Sequence, residues 1–348
     1  MSILITGGAG FVGSHLIPLL LKQRDERIVC LDNFNHSYSV ERKWANLAPF
    51  DRHSRVTICE GDIRDAGLVE QLFAEERIRY VIHLAAHAGV RRSVDEPHEY
   101  LDNNVNGTLT LLEQCRRQRL ERVVIASSST VYGKQAQVPF VEDAPLGTAA
   151  SPYGATKKAT ELLAQTYFEL HGVPTVCVRP FSAVGARMRP DLGLSIFART
   201  MLAGQPLPLF GDGSIRRDFT HVYDICRGMA AALDARGILG ECFNLGNDQP
   251  ISICEMIGML ESELGCAAQI KRLPANPADL PATCADLTKS RRMLGYEPQI
   301  AVSQAVREFC GWFRQEGVYT SHLPATQPRT LPFPERVASP ALPFRRAA

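Results

Sequence analysis

Thr6-Gly7-Gly8-Ala9-Gly10-Phe11-Val12-Gly13 is the stretch that decides the fold. It lies between residues 2–6, an apolar run that reads as a buried strand, and residues 11–22, whose apolar spacing reads as a helix. Glycines 7, 10 and 13 therefore follow a strand and open a helix. Gly7 suits a tight turn, Gly10 leaves the backbone open to a pyrophosphate, and Gly13 allows close helix–sheet packing. Asp32 ends the next expected strand, about 20 residues on, where a carboxylate binds the ribose hydroxyls of a dinucleotide. That acid favours NAD over NADP, because it repels a 2′-phosphate. Arg42 and Lys43, further along, read as a solvated helix face.

Outward from this stretch, strands are expected at residues 27–31, 56–60, 80–84, 123–127 and 173–179, with helices between most of them, including 97–117 and 152–170. Such alternation makes a parallel sheet covered on both faces. The fold class is therefore α/β: a Rossmann-type doubly wound parallel sheet with a smaller C-terminal α/β substrate-binding lobe. The expected division is 1–180 for the dinucleotide-binding domain and 181–320 for the second lobe, with some segments returning to the first. Residues 321–348, with prolines at 324, 328, 332, 334, 340 and 343, form a tail that reads as a surface-draped extension, or alternatively as a lid or partner-binding arm.

Composition removes several function classes. A chain of 348 residues that is 45% hydrophobic can build a full core. Its formal net charge of +1, without a basic run, does not suit nucleic-acid binding. No apolar run reaches membrane-spanning length. The ten cysteines are scattered without a C-x-x-C pair and read as small hydrophobes in a reducing compartment, so neither disulfides nor a metal site is expected. With a strand at its very start, the chain reads as cytoplasmic and without a signal peptide.

The second decisive stretch is Tyr153-Gly154-Ala155-Thr156-Lys157. Four residues make one helical turn, so phenol and ammonium share a face. A lysine there can lower the phenol's pKa and make it a base near neutral pH. Upstream, Ser127-Ser128-Ser129-Thr130-Val131-Tyr132-Gly133 runs from a strand end into a hydroxyl-rich turn, at the sheet edge where open α/β folds do their chemistry.

Together with Ser151-Pro152 before Tyr153, these three stretches resemble the extended short-chain dehydrogenase/reductase family, and within it the nucleotide-sugar epimerases. The resemblance spans about residues 1 to 315. It implies Tyr153 as base, Lys157 as its electrostatic partner and a contact to the nicotinamide ribose, and Ser128, four residues before Tyr132, as the assisting hydroxyl. Tyr132 itself is expected to be structural. NAD is expected against Gly7, Gly10, Phe11, Val12, Gly13, Asp32, Asn33, Asp62, Ile63, Leu84, Ala85, Ala86, Asn104, Tyr153 and Lys157. The family often forms homodimers through two helices per subunit, here 97–117 and 152–170.

The branch is read from finer features. Thr130 stands where dehydratases and decarboxylases of the family usually carry an acid, which favours plain epimerisation. His87-Ala88-Gly89-Val90-Arg91-Arg92-Ser93 and Arg179 to Asp191 resemble UDP-glucuronate 4-epimerases, with His87 departing from the usual Gln. Ser129, Thr130 and Ser182, with Arg91 or Arg189, are the candidates for a C6 carboxylate; Phe210, Arg217 and Asp279 are those for the UDP moiety. Asn276 replaces an Arg typical of galactose-type epimerases. The expected reaction is NAD-dependent 4-epimerisation of a UDP-sugar, UDP-glucuronate to UDP-galacturonate. The alternatives are UDP-glucose/UDP-galactose epimerisation, decarboxylation or dehydration, and a non-catalytic NAD-binding protein of the same fold.

Overall fold

Residues 2–6 form the strand expected of them, β1 (Ser2–Thr6), and every one of its residues is buried. In the computed structural model, which describes residues 1–134, 137–275 and 280–315, β1 is central to a seven-stranded sheet. The first half of the chain supplies β2 (Arg27–Asp32), β3 (Val56–Glu60), β4 (Ile78–His83), β5 (Arg122–Ala126) and β6 (Thr175–Pro180). The second half supplies β7 (Ser182–Val184), β8 (Leu207–Phe210), β9 (Arg216–Arg217), β10 (Phe219–His221), β11 (Cys242–Leu245), β12 (Ile251–Ser252) and β13 (Ile270–Leu273). The large sheet runs β11-β6-β5-β4-β1-β2-β3, and all six of its pairings are parallel.

Helices cover both faces, which is why these strands read as continuous apolar runs. On one face Ile3, Ile5, Cys30, Ile82, Val124 and Val176 point into a core shared with α1 (Phe11–Gln23) and, later in the chain, Val222–Asp234. On the other, Leu4, Val29, Leu31, Val81, Val123 and Ile125 meet helices drawn from residues 66–76, 107–117 and 152–171. In chain order after α1 the helices are α2 (Val40–Leu47), α3 (Ala66–Glu76), α4 (Val90–Asp95), α5 (Pro97–Leu101), α6 (Gly107–Arg117), α7 (Pro152–His171), α8 (Gly193–Leu202), α9 (Val222–Asp234), α10 (Ile253–Leu264), α11 (Thr288–Leu294) and α12 (Val302–Gln315). None is long and apolar enough to cross a membrane.

The second half also builds three two-stranded pairings outside the main sheet: β10 with β7, β12 with β9, and β13 with β8. Order reverses in the main sheet between β1 and β4. That reversal opens a crevice at the carboxyl ends of these strands, where ligands of such folds bind.

Two elements depart from expectation. The helix expected over residues 97–117 is interrupted by a wide π turn, Asp102–Asn106, between α5 and α6. The extra residue turns Asn103 and Asn104 into the interior. The seventh strand, β11, was not expected at all: four residues after a loop carry too little periodicity to announce an edge strand.

Candidate active site

The glycine-rich turn owes its shape to sterics. Gly7 has φ +71°, and a Cβ there would sit 2.7 Å from the backbone nitrogen of Ala85. A Cβ on Gly13 would lie 2.6 Å from Gly8 Cα, so only glycine lets the first turn of α1 pack onto the loop. Gly10 is the N-cap of α1 and has no side chain to cap it, so the helix presents its Phe11 and Val12 end to the crevice. Leu84, Ala85 and Ala86 leave β4 beside this turn, held by Thr6, whose carbonyl and hydroxyl accept from Leu84 N–H and Ala85 N–H.

Asp32 caps the neighbouring strand end. Its carboxylate accepts from Ala9 N–H (3.1 Å) and Phe34 N–H (2.9 Å). Burial pushes its pKa up, against the Phe34 N–H, the Lys43 ammonium and the Ala9 N–H. Lys43 corrects the sequence reading. It is 4% exposed rather than part of a solvated face, and its Nζ donates to the carbonyl and side chain of Asn35 at 2.6 and 2.9 Å. Arg42 lies over the Trp312 ring. Asn33 donates to Asp62 (2.9 Å), and the Arg64 guanidinium holds the Asp62 carboxyl well below the usual carboxylate range. Ile63 is buried against Gly107, where any side chain would collide with it.

Asn104, placed by the π turn, clamps the next loop. Its side chain accepts from His87 N–H (2.7 Å) and donates to His87 O (2.9 Å) and to Thr156 Oγ1 on α7 (3.0 Å). Sequence reasoning missed the buried chain behind it. Thr6 bonds His83, His83 bonds Thr108, and Thr108 donates to the Asn104 carbonyl. Burial pushes the His83 pKa down to about 3, so the ring is neutral and serves as a relay of hydrogen bonds.

Ser151 caps α7 by accepting from Gly154 N–H, with Pro152 in the first turn. This start places Tyr153 and Lys157 one turn apart below the end of β5. Ser128 lies near enough to the Tyr153 phenol to act on it. The Ser128 oxygen already accepts from Thr130 N–H (3.2 Å) and Thr130 Oγ1 (3.0 Å), so its own proton remains to be donated. Burial raises the Tyr153 pKa; the Ser128 hydrogen bond and then the Arg189 charge pull it back. Lys157 is oriented by a 2.7 Å bond to the Ala126 carbonyl at the end of β5. Burial lowers its pKa to about 8.

Two loops meet over Tyr153. Tyr100 packs edge-on against its ring and donates to Ala88 O (3.0 Å). Arg189 donates to the same carbonyl (3.1 Å) and forks onto Asp191. Gly89, at φ +122°, takes a backbone conformation that a side chain would strain, while Tyr100, Asp191 and Arg189 lie at ordinary contact distances from its missing Cβ. Arg91 lies over the Phe210 ring at 5.4 Å, joining α4 to the end of β8. Ser182 opens β7, its N–H bonded to Asp218 O. Arg217 donates to Leu280 O. Ser128, Ser129 and Thr130 are half-buried together at the start of the turn. Asp279, Asn276 and the proline-rich tail from 321 lie outside the described residues.

Tyr132 is structural, as expected. It is 1% exposed, donates to Asn244 Oδ1 (2.7 Å) and accepts from Arg179 (3.0 Å).

A family model described as the NAD dependent epimerase/dehydratase family matches residues 3–246. A UDP-glucuronate 4-epimerase of Thermodesulfobacterium geofontis is 37% identical over 313 residues, which cover 90% of this chain and 96% of that one. Among solved structures, the UDP-glucuronic acid 4-epimerase of Bacillus cereus, in complex with UDP-glucuronic acid and NAD, superposes with a TM-score of 0.86 at 35% identity, covering 91% of this chain and all of that one. A dTDP-glucose 4,6-dehydratase of Streptomyces venezuelae with NAD bound gives 0.85 at 31% identity, covering 92% and 99%.

Proposed function

The chain belongs to the NAD dependent epimerase/dehydratase family, and from that premise we propose that it inverts C4 of a UDP-sugar, with UDP-glucuronate and UDP-galacturonate as the pair it interconverts. The observation that carries the reading is the gathering of three side chains at one strand end: Lys157 is fixed to the Ala126 carbonyl at the end of β5 (2.7 Å), Tyr153 lies one turn before it on α7, and Ser128, two residues after Ala126, is near enough to act on the phenol.

The crevice residues suit a dinucleotide. Side chains are excluded at Gly7 and Gly13, the helix end at Gly10 is open, and the carboxylates of Asp32 and Asp62 are fixed by hydrogen bonds. Gly7, Gly10, Phe11, Val12 and Gly13 would hold the pyrophosphate, Asp32 the adenosine ribose, Asn33, Asp62 and Ile63 the adenine side, and Leu84 to Ala86 with Asn104 the run toward Lys157. When bound, NAD supplies the acceptor, and once reduced the donor, for the hydride at C4. The chain's own residues do the proton work. Tyr153, as phenolate, takes the C4 hydroxyl proton while Ser128 donates to the same oxygen, and the ammonium of Lys157 steadies the negative charge. The phenol returns the proton after the ring presents its other face. Because both faces of C4 must be offered, the nucleotide has to stay anchored while the sugar turns. Phe210, Arg217 and Asp279 are assigned to that anchor.

For the uronate, Arg189 supplies the charge, with Ser129, Thr130 and Ser182 as hydroxyl partners. Arg91 closes on Phe210 instead. Thr130 offers no carboxylate for removing a proton at C5, which supports epimerisation over dehydration. The test incubates purified protein with UDP-glucuronate and, separately, UDP-glucose, and resolves products by NMR. Conversion of the uronate with little change in the hexose is expected. Preference for UDP-glucose would transfer the hydroxyls to a C6 alcohol and overturn the substrate assignment.

We also infer a homodimer through α5 to α7. Leu101, Leu109, Leu162 and Leu170 are exposed on these helices, the last by 71%. Sedimentation would report a dimer, and charged replacements at Leu109 and Leu170 would give a monomer.

A further inference from the structure

Ten cysteines are present, and all are free thiols. Strand register separates one pair from the rest. On β6 and β11, Cys177 stands directly opposite Cys242. Both pack on the same face of the sheet. The other two strand cysteines make the contrast. Cys30 opposes Ile58 and Cys59 opposes Leu31, one residue out of step. A one-residue offset puts side chains on opposite faces, and Cys30 belongs to the core on the other side of the sheet. Among the described residues, Cys177 and Cys242 are the only cysteines opposed on neighbouring strands.

The pair is also reachable. Both residues line a cleft of about 460 Å³ between α7 and the edge strand β11, with Glu161, Arg179, Glu241 and Lys289 around it. Cys177 is buried and Cys242 half-buried, so Cys242 is the thiol met first. We propose that Cys177 and Cys242 form a reversible dithiol–disulfide site, oxidised through this cleft by a small disulfide of the glutathione type.

The exchange balances in two steps. The Cys242 thiolate attacks one sulfur of the small disulfide, breaks its S–S bond and releases one small thiol. Cys177 then gives up its proton, attacks the Cys242 sulfur and releases the second small thiol. The two protein thiols lose two electrons and two protons, and the small disulfide becomes two thiols.

Geometry decides what kind of disulfide results. Neighbouring strands lie about 4.8 Å apart, within the range of Cα separations a disulfide spans, but its Cβ atoms need to approach to about 3.8 Å. The bond therefore draws the strands together. β11 has a partner on one side only, so it is the strand that yields. A bond closed against such resistance is easily reduced, which marks a labile disulfide rather than a structural one. The site adjoins the proposed active site, because Cys177 pairs with Ile125 on β5, next to Ala126, whose carbonyl holds Lys157.

The test uses the full-length protein with an excess of oxidised glutathione, followed by alkylation, digestion and mass mapping. The expected result is the loss of two of the ten thiols, a cross-linked peptide joining Cys177 to Cys242, and recovery of both thiols on adding dithiothreitol. Cys242→Ser should abolish the cross-link and Cys59→Ser should leave it intact. If Cys242→Ser does not fold, the wild-type map decides alone. Glutathione retained on Cys242 with Cys177 still alkylated, or both thiols alkylated after oxidation, would overturn the proposal.

Discussion

Helix α7 carries two buried polar clusters one turn apart, and they are finished differently. Around Glu161 the cluster is closed. Glu161 and Arg179 are joined by two parallel bonds of 2.8 Å, with side-chain exposures of 8% and 4%. Arg179 also donates to Tyr132 and to Glu142 O. Tyr132 donates to Asn244, whose amide donates to Phe140 O and Asp286 O. Around Tyr153 and Lys157 the cluster is left open. Lys157 has three protons to give and, among the described residues, one acceptor, Ala126 O. The Tyr153 oxygen has Ser128 as its side-chain neighbour. A buried polar network that satisfies itself ties elements together, whereas one that keeps spare capacity can take a substrate. One helix therefore serves as scaffold and carries the proposed site, and the hydrogen bonds separate the two stretches.

That contrast can be broken by experiment. Tyr153→Phe should cost the most, with turnover falling about 10³-fold or more through loss of the proton acceptor while the melting temperature stays put. A stability loss of the same variant would place Tyr153 with the scaffold. Glu161→Leu should do the reverse. Leaving Arg179 buried without its partner should cost about 3–5 kcal/mol in urea unfolding, with turnover per folded molecule retained. Replacing both Glu161 and Arg179 by Met should cost less than the single change, since the pair's desolvation is then removed together.

Arg189→Leu sharpens the substrate side of the comparison. Losing a charged hydrogen-bond partner, about 1.5–3 kcal/mol, should raise KM for UDP-glucuronate roughly 10- to 100-fold and leave KM for UDP-glucose nearly unchanged. An equal rise for both sugars would assign Arg189 to loop structure. Tyr132→Phe should cost about 1–3 kcal/mol, because Asn244 is left without its donor, with turnover within about twofold of wild type.

Per pH unit, a slope from Lys157 is also expected. Burial lowers the Lys157 pKa from 10.5 to about 8, so between those values the unfolded chain binds more protons than the folded one. Stability contributed at this position therefore rises with pH from 8 to 10.5, by at most about 1.4 kcal/mol per pH unit. Comparing wild type with Lys157→Met across that window should show the slope in the wild type alone.

Much of this was legible in local sequence. Strands β1 to β6 announced themselves as apolar runs because both faces of the sheet are covered. The glycine turn and the Tyr153–Lys157 spacing depend only on backbone sterics and helical pitch, which operate within a few residues. Lys43 was misread because a cation on an amphipathic helix ordinarily faces water. Its burial depends on the loop carbonyl and side chain of Asn35 arriving from outside the helix. The π turn at Asp102–Asn106 escaped notice for a related reason: what it achieves is a contact between Asn104 and the loop at His87, 17 residues away.

The sequence by itself determined strands β1 to β6 of the sheet and the glycine turn, and it set Tyr153 and Lys157 one helical turn apart, since each rests on periodicity or on short-range sterics. Only the tertiary structure decided that β11 completes the sheet, that Arg189 rather than Arg91 comes to Tyr153, and that Cys177 meets Cys242. Those outcomes are set by which distant segments become neighbours, and long-range packing leaves no period in the chain to read.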